Sequence, residues 1–534
     1  VFQKTGLFQM RDFHYPGRSA VFAENGMCAT SHPLASMVAI DTLKSGGNAM
    51  DAAIAGALML TLCEPHMCGI GGDCFALFSP AGGDDILALN GSGRAPAALS
   101  AADLRRAGHD TIPLRSAAAV TIPGAIDAFC TLANDHGVLG IDRLCAPTID
   151  YAKHGVPVAP RVAMDWAAML DDLHETAMPF YSNTGAAPKL GTVFANPTLA
   201  DVLTKVARQG RDGFYASDVA QDMVDTLSEL GGVHGMDDFQ NNRADYTDPI
   251  SAPVGDKTLF EHPPNGQGAT AFLISNILAN FDLANMDPLG ADRVHIEAEA
   301  AKLAYDARNR ILADPDHTTR LDRMLSQNLA DELAALIDPK TARTNIAQMT
   351  EAVHKDTVYI TVVDRDRMAV SLIFSIFHGF GSGIASRKYG ILLQNRGAGF
   401  NLIPDHPNMA AGGKRPMHTI IPGMLAQNGK PYMPFGVMGG QYQPMGHIRV
   451  LGNMMTYGMD IQSAIDAPRS FPEGGVLKLE RGFSDAVARD LAARGHVVDR
   501  DTTPIGGAQA IIMHDNGVLE GASDPRKDGC ALGF

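Results

Sequence analysis

The chain is expected to be an α+β protein in which two β-sheets pack face to face and helical layers cover their outer surfaces. Three observations carry that expectation. Apolar residues recur at helical spacing through most of the chain before residue 357 and at strand spacing after it. The later part is punctuated by hairpin signals such as Asn428-Gly429 and Asp515-Asn516-Gly517. With 534 residues, 46% of them hydrophobic, the chain can bury a core large enough for each sheet to pack on the other and on helices.

Taken in order, Leu34 to Leu43 has an apolar helical face that stops at Gly46-Gly47. Asn48 reads as the N-cap of a second helix, with Asp51 at the favourable end of its dipole. The apolar run Ala52 to Cys63 is too short to span a bilayer and reads as buried helix. Gly69-Ile70-Gly71-Gly72-Asp73 precedes a strand from Cys74 to Ser79. No Lys-Ser/Thr follows these glycines, so they let backbone approach backbone or ligand and do not cradle phosphate. A strand over Ile86–Leu89 leads into the turn Asn90 to Pro96, and Val120 to Ala125 reads as a strand-to-helix junction.

Residues 130–240 read as mainly helical, followed by helices over Ala269–Leu283 and Asp292–Ala313. His295, Glu297 and Asp306 on the latter match no metal-site spacing and are assigned to a salt-bridged face. Residues 317–355 are polar, with a mobile connector from about Lys340. A hairpin follows, Thr357–Asp364 with Met368–Phe377. Later strands are expected over Gly390–Gln394, Thr419–Ala426, Tyr432–Met438, Gln509–His514 and Val518–Ser523. A helix runs from Pro444 to Gly458, and a β-α-β unit covers Gly475 to Asp499.

A net charge of −16 argues against nucleic acid or an anionic membrane surface as partner. Seven cysteines, at 28, 63, 68, 74, 130, 145 and 530, read as small buried hydrophobes in a reducing compartment. No signal pattern opens the chain, so a cytoplasmic location is expected. A periplasmic one stays open because residue 1 is Val.

Thr357, at the leading edge of its strand, is by itself an ordinary strand-edge hydroxyl. Its setting changes that reading. Ser45-Gly46-Gly47-Asn48-Ala49-Met50-Asp51, Gly69-Ile70-Gly71-Gly72, Thr121-Ile122-Pro123-Gly124 and Pro263-Pro264 occur in order before it. Gly379-Phe380-Gly381-Ser382-Gly383, Gly413-Lys414-Arg415-Pro416, Gly439-Gly440 and Gly521 to Arg526 occur after it. In this order, over nearly the whole length, the chain resembles the gamma-glutamyltranspeptidase family of N-terminal-nucleophile hydrolases. The resemblance implies a four-layer αββα sandwich made as a precursor that cuts itself between Asp356 and Thr357. Residues 1–356 would form a large subunit and 357–534 a small one, the two staying associated as one unit. Thr357 would be nucleophile and, through its freed amine, base, with Thr361 next in line. Gly439 and Gly440 would form the oxyanion hole.

The substrate pocket departs from the family pattern. The Arg that grips a γ-glutamyl α-carboxylate is replaced by Ser92, with Arg94 two residues on. The family's Asn-Asn-x-Met-Asp-Asp-Phe stretch becomes Gln394 to Phe400, which loses the ammonium-binding Asp to Gly399 and gains Arg396. A Thr and an Asn on the second hairpin strand become Ser375 and Phe377, and a Ser-Ser pair becomes His418-Thr419. These changes resemble the oxamate amidohydrolase and cephalosporin acylase-like subgroup. They imply a small anionic amide such as oxamate or a glutaryl amide, with no cofactor and no metal. True γ-glutamyl transfer is the first alternative. A silent, uncut relative that serves as a binding protein is the second. Oligomeric state stays open.

Overall fold

The computed structural model describes residues 3–5, 8–11, 14, 17–343 and 355–534. Its centre is the strand Lys355–Asp364, which pairs antiparallel with Ala369–His378 on one side and with Gly26–Thr30 on the other. Outward from this trio, Cys530–Gly533 joins Gly26–Thr30. Asp73–Ser79, Leu87–Gly91 and Asp245–Thr247 extend the opposite flank, completing a seven-stranded sheet. A second seven-stranded antiparallel sheet runs in the order Ile250–Val254, Lys257–Glu261, Gly423–Gln427, Lys430–Met438, Gly507–Met513, Leu519–Ser523 and Val21–Ala23.

Strand alternation sets the layers. Val358, Ile360 and Val362 point outward into a core shared with the buried helix Ala49–Cys63 and its neighbour Pro33–Lys44. Tyr359 and Val363 point the other way, into two clusters between the sheets that contain Met438 and Ile420, and Met424 and Ile511. On the far side, Leu425, Phe435 and Ile512 pack against Phe272, Ile296 and Met445 of helices Gly268–Leu278, Ala291–Ile311 and Gln443–Met455. The result is helix, sheet, sheet, helix. Each fully buried Val, Leu or Phe contributes about 1.5–3 kcal/mol to holding the layers together. The sheets are also stitched by polar contacts, since Tyr359 Oη lies 2.8 Å from Ser371 Oγ, which donates to Phe435 O at 3.2 Å.

Helix Ala49–Cys63 begins as expected. Asn48 accepts from Asp51 N at 3.0 Å, and Asp51 reaches back to Asn48 N at 3.1 Å, a reciprocal capping box. Gly56 lets this helix approach the central strand, for a Cβ there would stand 2.5 Å from Ile360 Cδ1.

Several expectations need correction. Gly390–Gln394 forms no strand; it makes only the isolated bridge Ala385–Leu392, and Gln394 N donates instead to Gly71 O at 3.0 Å. Gly390 takes a φ of +65°, which breaks the extended run. Val120–Ile122 joins no sheet ladder, although the helix Ala125–His136 does follow it. The β-α-β unit is present, with Val476–Leu479 parallel to Val498–Asp499, and gains an antiparallel strand, Ser470–Glu473. The connector expected from about Lys340 lies mostly outside the described residues.

All seven cysteines are unpaired, and six are buried. Glu297 is held by Arg293 and Arg449, and Asp306 by Arg310. His295 sits between His496 and Asp338 O, each at 2.8 Å, while the nearby Glu299 is bound by Lys302 and Arg343 N. Internal hydrogen bonds therefore account for this cluster. Among the described residues, no helix is long and apolar enough to cross a membrane.

Candidate active site

Thr357 lies at a β-bulge. Asp356 faces Phe377 and Val358 faces Phe374, so Ser375 and Ile376 together oppose Thr357. The bulge brings two hydroxyls together: Thr357 Oγ1 donates to Ser375 Oγ at 3.3 Å. Ser375 Oγ also accepts from Phe377 N at 2.8 Å, and Phe377 itself holds a φ of +81°, a strained value for a side chain of its size. Thr357 is only 1% exposed.

Thr357 shares a cleft with Met438, Gly439, Tyr442, Arg161, Glu473 and Lys527, among others. Gly439 has a φ of +119°, and a Cβ on it would stand 3.0 Å from Gly506 Cα, so glycine is required there. The turn that Gly439 and Gly440 make is braced from below. Gln267 donates to Gly440 O at 3.0 Å and to Thr419 O at 2.6 Å, and Arg308 donates to Gln267 Oε1 at 2.6 Å and also to Gln441 Oε1. Burial pulls the Arg308 guanidinium down to about 10. Neither Gln267 nor Arg308 stands out in the sequence, because each acts through a neighbour's backbone or amide.

Behind Ser375 lies a buried polar cluster. Asp73, paired with Ser375 in the sheet, accepts from Gly93 N at 2.8 Å, Gly124 N at 3.2 Å and Gln394 Nε2 at 2.8 Å. Its second oxygen faces His418 Nε2 at 3.1 Å. Burial raises the Asp73 carboxyl to about 6, with Arg396 and these donors opposing the rise. Burial and the neighbouring Arg396 charge push His418 well below the ordinary imidazole value, so it is neutral and donates to Asp73. Asp73 was absent from the expected site residues. Its signal was a lone carboxylate opening an otherwise apolar strand.

Arg396 is fully buried. Its Nη1 donates to Thr419 Oγ1 at 2.9 Å, and its guanidinium stacks 3.9 Å from the Phe377 ring centroid. Its Nε and Nη2 have no hydrogen-bond partner among the described residues. Burial lowers its pKa to about 9, against the pull of Asp73.

The structure thus gathers Thr357, Ser375, Phe377, Arg396, His418 and Thr419 around one strand end. Ser92 is turned to other work. It is bonded to Asn90 and Asn265 and gives its carbonyl to Arg415. Arg94, partly exposed, faces Asp245 at 3.5 Å and Asp314 at 3.7 Å and does not line the Thr357 cleft.

A hydroxyl at a strand end, a glycine turn in the same cleft and two sheets between helical layers define an N-terminal-nucleophile hydrolase, a class built for acyl transfer. The chain belongs to the gamma-glutamyltranspeptidase family, whose profile matches residues 35–534. It is 34% identical to the glutathione hydrolase-like YwrD proenzyme of Bacillus subtilis, over 96% of this chain and 99% of that one. Against the oxamate amidohydrolase proenzyme of Klebsiella pneumoniae it is 35% identical, over 97% and 100%. The crystal structure of cephalosporin acylase from Bacillus halodurans superposes with a TM-score of 0.91 at 36% identity, covering 98% of each chain. The protein is an amidohydrolase or acylase of this family.

Proposed function

We propose that the chain cuts itself between Asp356 and Thr357 and then hydrolyses small amides whose acyl half carries a carboxylate. In the first step Thr357 Oγ1 attacks the Asp356 carbonyl carbon. The peptide C–N bond breaks as an ester forms, and water releases the Asp356 carboxyl from the new Thr357 terminus. The freed amine has an unperturbed pKa of about 7.7–8.0 and takes the Oγ1 proton as Oγ1 attacks the substrate carbonyl. The Gly439 and Gly440 N–H groups steady the oxyanion, the substrate C–N bond breaks, and the leaving amine collects the proton. Water then cleaves the acyl-enzyme. Large (1–356) and small (357–534) fragments stay together, and the scheme uses no metal or cofactor.

The observation that carries the substrate reading is Arg396: a buried guanidinium whose Nε and Nη2 have no hydrogen-bond partner among the described residues, one bond to Thr419, and a stack on Phe377, two residues along the strand from Ser375. A carboxylate would satisfy those donors in a bidentate pair. His418 supports it by fixing Asp73, and Ser375 by orienting Thr357. Ser92 and Arg94, tied to Asn90, Asn265, Asp245 and Asp314, leave the γ-glutamyl clamp without its carboxylate-binding arginine in this reading.

A denaturing gel tests the first half. Bands near 38 and 19 kDa are expected from the 56.6 kDa chain, the smaller starting Thr-Val-Tyr-Ile. A single uncut band after prolonged incubation would leave the silent-relative reading. Ammonia release from oxamate and succinamate, beside hydrolysis of γ-glutamyl-p-nitroanilide, tests the second half. A clear preference for the γ-glutamyl compound would overturn the anionic monoamide reading in favour of γ-glutamyl transfer.

A further inference from the structure

The Thr357 cleft contains a cation, Lys527, that the acyl reading leaves unused. Lys527 is only 6% exposed; its Nζ donates to Met67 Sδ at 3.9 Å, and among the described residues no carboxylate lies within ion-pair distance, although its charge helps keep the Asp165 carboxylate ionised. The other charges around the cleft are matched. Lys478 Nζ lies 2.7 Å from Glu473, and Arg161 Nε lies 2.7 Å from Asp165, which His66 also approaches at 3.7 Å. Asp528, next in sequence, is taken up by Arg161 N and Val162 N at the start of helix Pro160–Met169. Asp165 is bonded directly to Arg161 and only feels the Lys527 charge from further off, so among the described residues Lys527 is left without a direct ion pair.

Its place is built in. Gly507 makes room for the Lys527 stem, since a Cβ there would lie 2.9 Å from Lys527 Cγ and 3.3 Å from Cε. Gly507 also packs against Met438, which lines the cleft beside Gly439 and Thr357. An ammonium held this way, with most of its surface covered and no directly bonded carboxylate, gains from an anion that arrives to share the cleft.

Arg396, Thr419 and Phe377 do not line this cleft. Arg396 connects to Thr357 through Phe377 and Ser375, whereas Lys527 lines the same cleft as Thr357; in this reading a substrate whose carbonyl sits at Oγ1 directs its acyl half toward the first cation and its amine half toward the second. We infer that Lys527 binds a carboxylate on the leaving amine, so that the preferred substrates are N-acyl amino acids, with an anionic group on each side of the scissile amide. The inference rests on the acyl-side role given to Arg396 above.

The test compares kcat/KM for N-acylglycines with that for the matching N-acylglycinamides, using oxalyl, succinyl and glutaryl acyl groups. The wild-type protein is expected to favour the free carboxylate by about ten- to hundredfold, and the preference should shrink with added salt. Lys527→Gln should bring the ratio near one, and Lys527→Arg should restore part of it. A merely structural Lys527 would lower both members of a pair alike and keep the ratio. Equal rates for acylglycine and acylglycinamide with the wild-type protein would overturn the inference without any variant. Failure to cleave any member of the three series would instead overturn the acyl reading on which it depends.

Discussion

Thr357 Oγ1 donates to Ser375 Oγ at 3.3 Å across a β-bulge, and Ser375 Oγ is pinned in turn by Phe377 N at 2.8 Å. The bulge thus aims one hydroxyl by means of another. Thr357→Ala is expected to abolish both chain cutting and amide hydrolysis, read on a gel and by ammonia release. Ser375→Ala should cut slowly and lose about tenfold in kcat, the worth of one net hydrogen bond of about 1–1.5 kcal/mol. Full activity in Thr357→Ala would move the nucleophile elsewhere.

Arg396 offers a separation of stability from activity. Its removal takes away a buried charge with two unsatisfied donors, so Arg396→Met should unfold at a temperature no lower than wild type. Hydrolysis of succinamate should nevertheless fall by about a hundredfold, since a buried charge-assisted pair with the substrate is lost. A variant that unfolds early but keeps its substrate preference would show a structural role only.

Asp73 sets a pH dependence of stability. Burial raises its folded carboxyl to about 6, above the ordinary carboxylate value of 3.8. The folded state therefore holds that proton to a higher pH than the unfolded state, and Asp73's contribution falls as pH rises between those values. Above pH 6 the loss levels off at about 3 kcal/mol at most. Urea midpoints of wild type and Asp73→Asn, compared from pH 4 to 8, should show wild type losing stability relative to the variant through this window. Parallel curves would remove Asp73's titration from the account.

Asn48 provides a test far from the chemistry. Its reciprocal bonds with Asp51 close the first turn of a helix buried along its whole length. Asn48→Ala should destabilise the chain by about 1 kcal/mol, within the usual range for a lost cap, with substrate ratios unmoved. Denaturant unfolding of the Thr357→Ala background, which keeps one chain, measures it.

Much of this was legible in the sequence where signals are local. The Asn48 cap, the hairpin at Thr357 and the Asn428-Gly429 turn rest on residues close together in the chain. Strand Gly26–Thr30 was missed because its partners, Cys530–Gly533 and Lys355–Asp364, lie hundreds of residues away and Met-Cys-Ala-Thr carries no pattern of its own. Gly390–Gln394 misled because it is apolar for packing, while its glycine and the Gln394 side chain bind it to other loops. In the site, residues with motif counterparts could be located, but Asp73, Gln267 and Arg308 act through backbone groups or neighbours, and the burial of Lys527 beside the cleft comes from residues distant in the chain. Those properties exist only once the chain has folded.

The central sheet places Cys530–Gly533, Gly26–Thr30 and Lys355–Asp364 side by side, so segments from both ends of the chain flank the strand that carries Thr357. Were the chain cut as proposed, the strand from Thr357 would stay hydrogen-bonded to Gly26–Thr30 of the larger piece, and both sheets would contain strands of each piece. The halves would be interleaved like the fingers of clasped hands, and separating them would mean undoing both sheets.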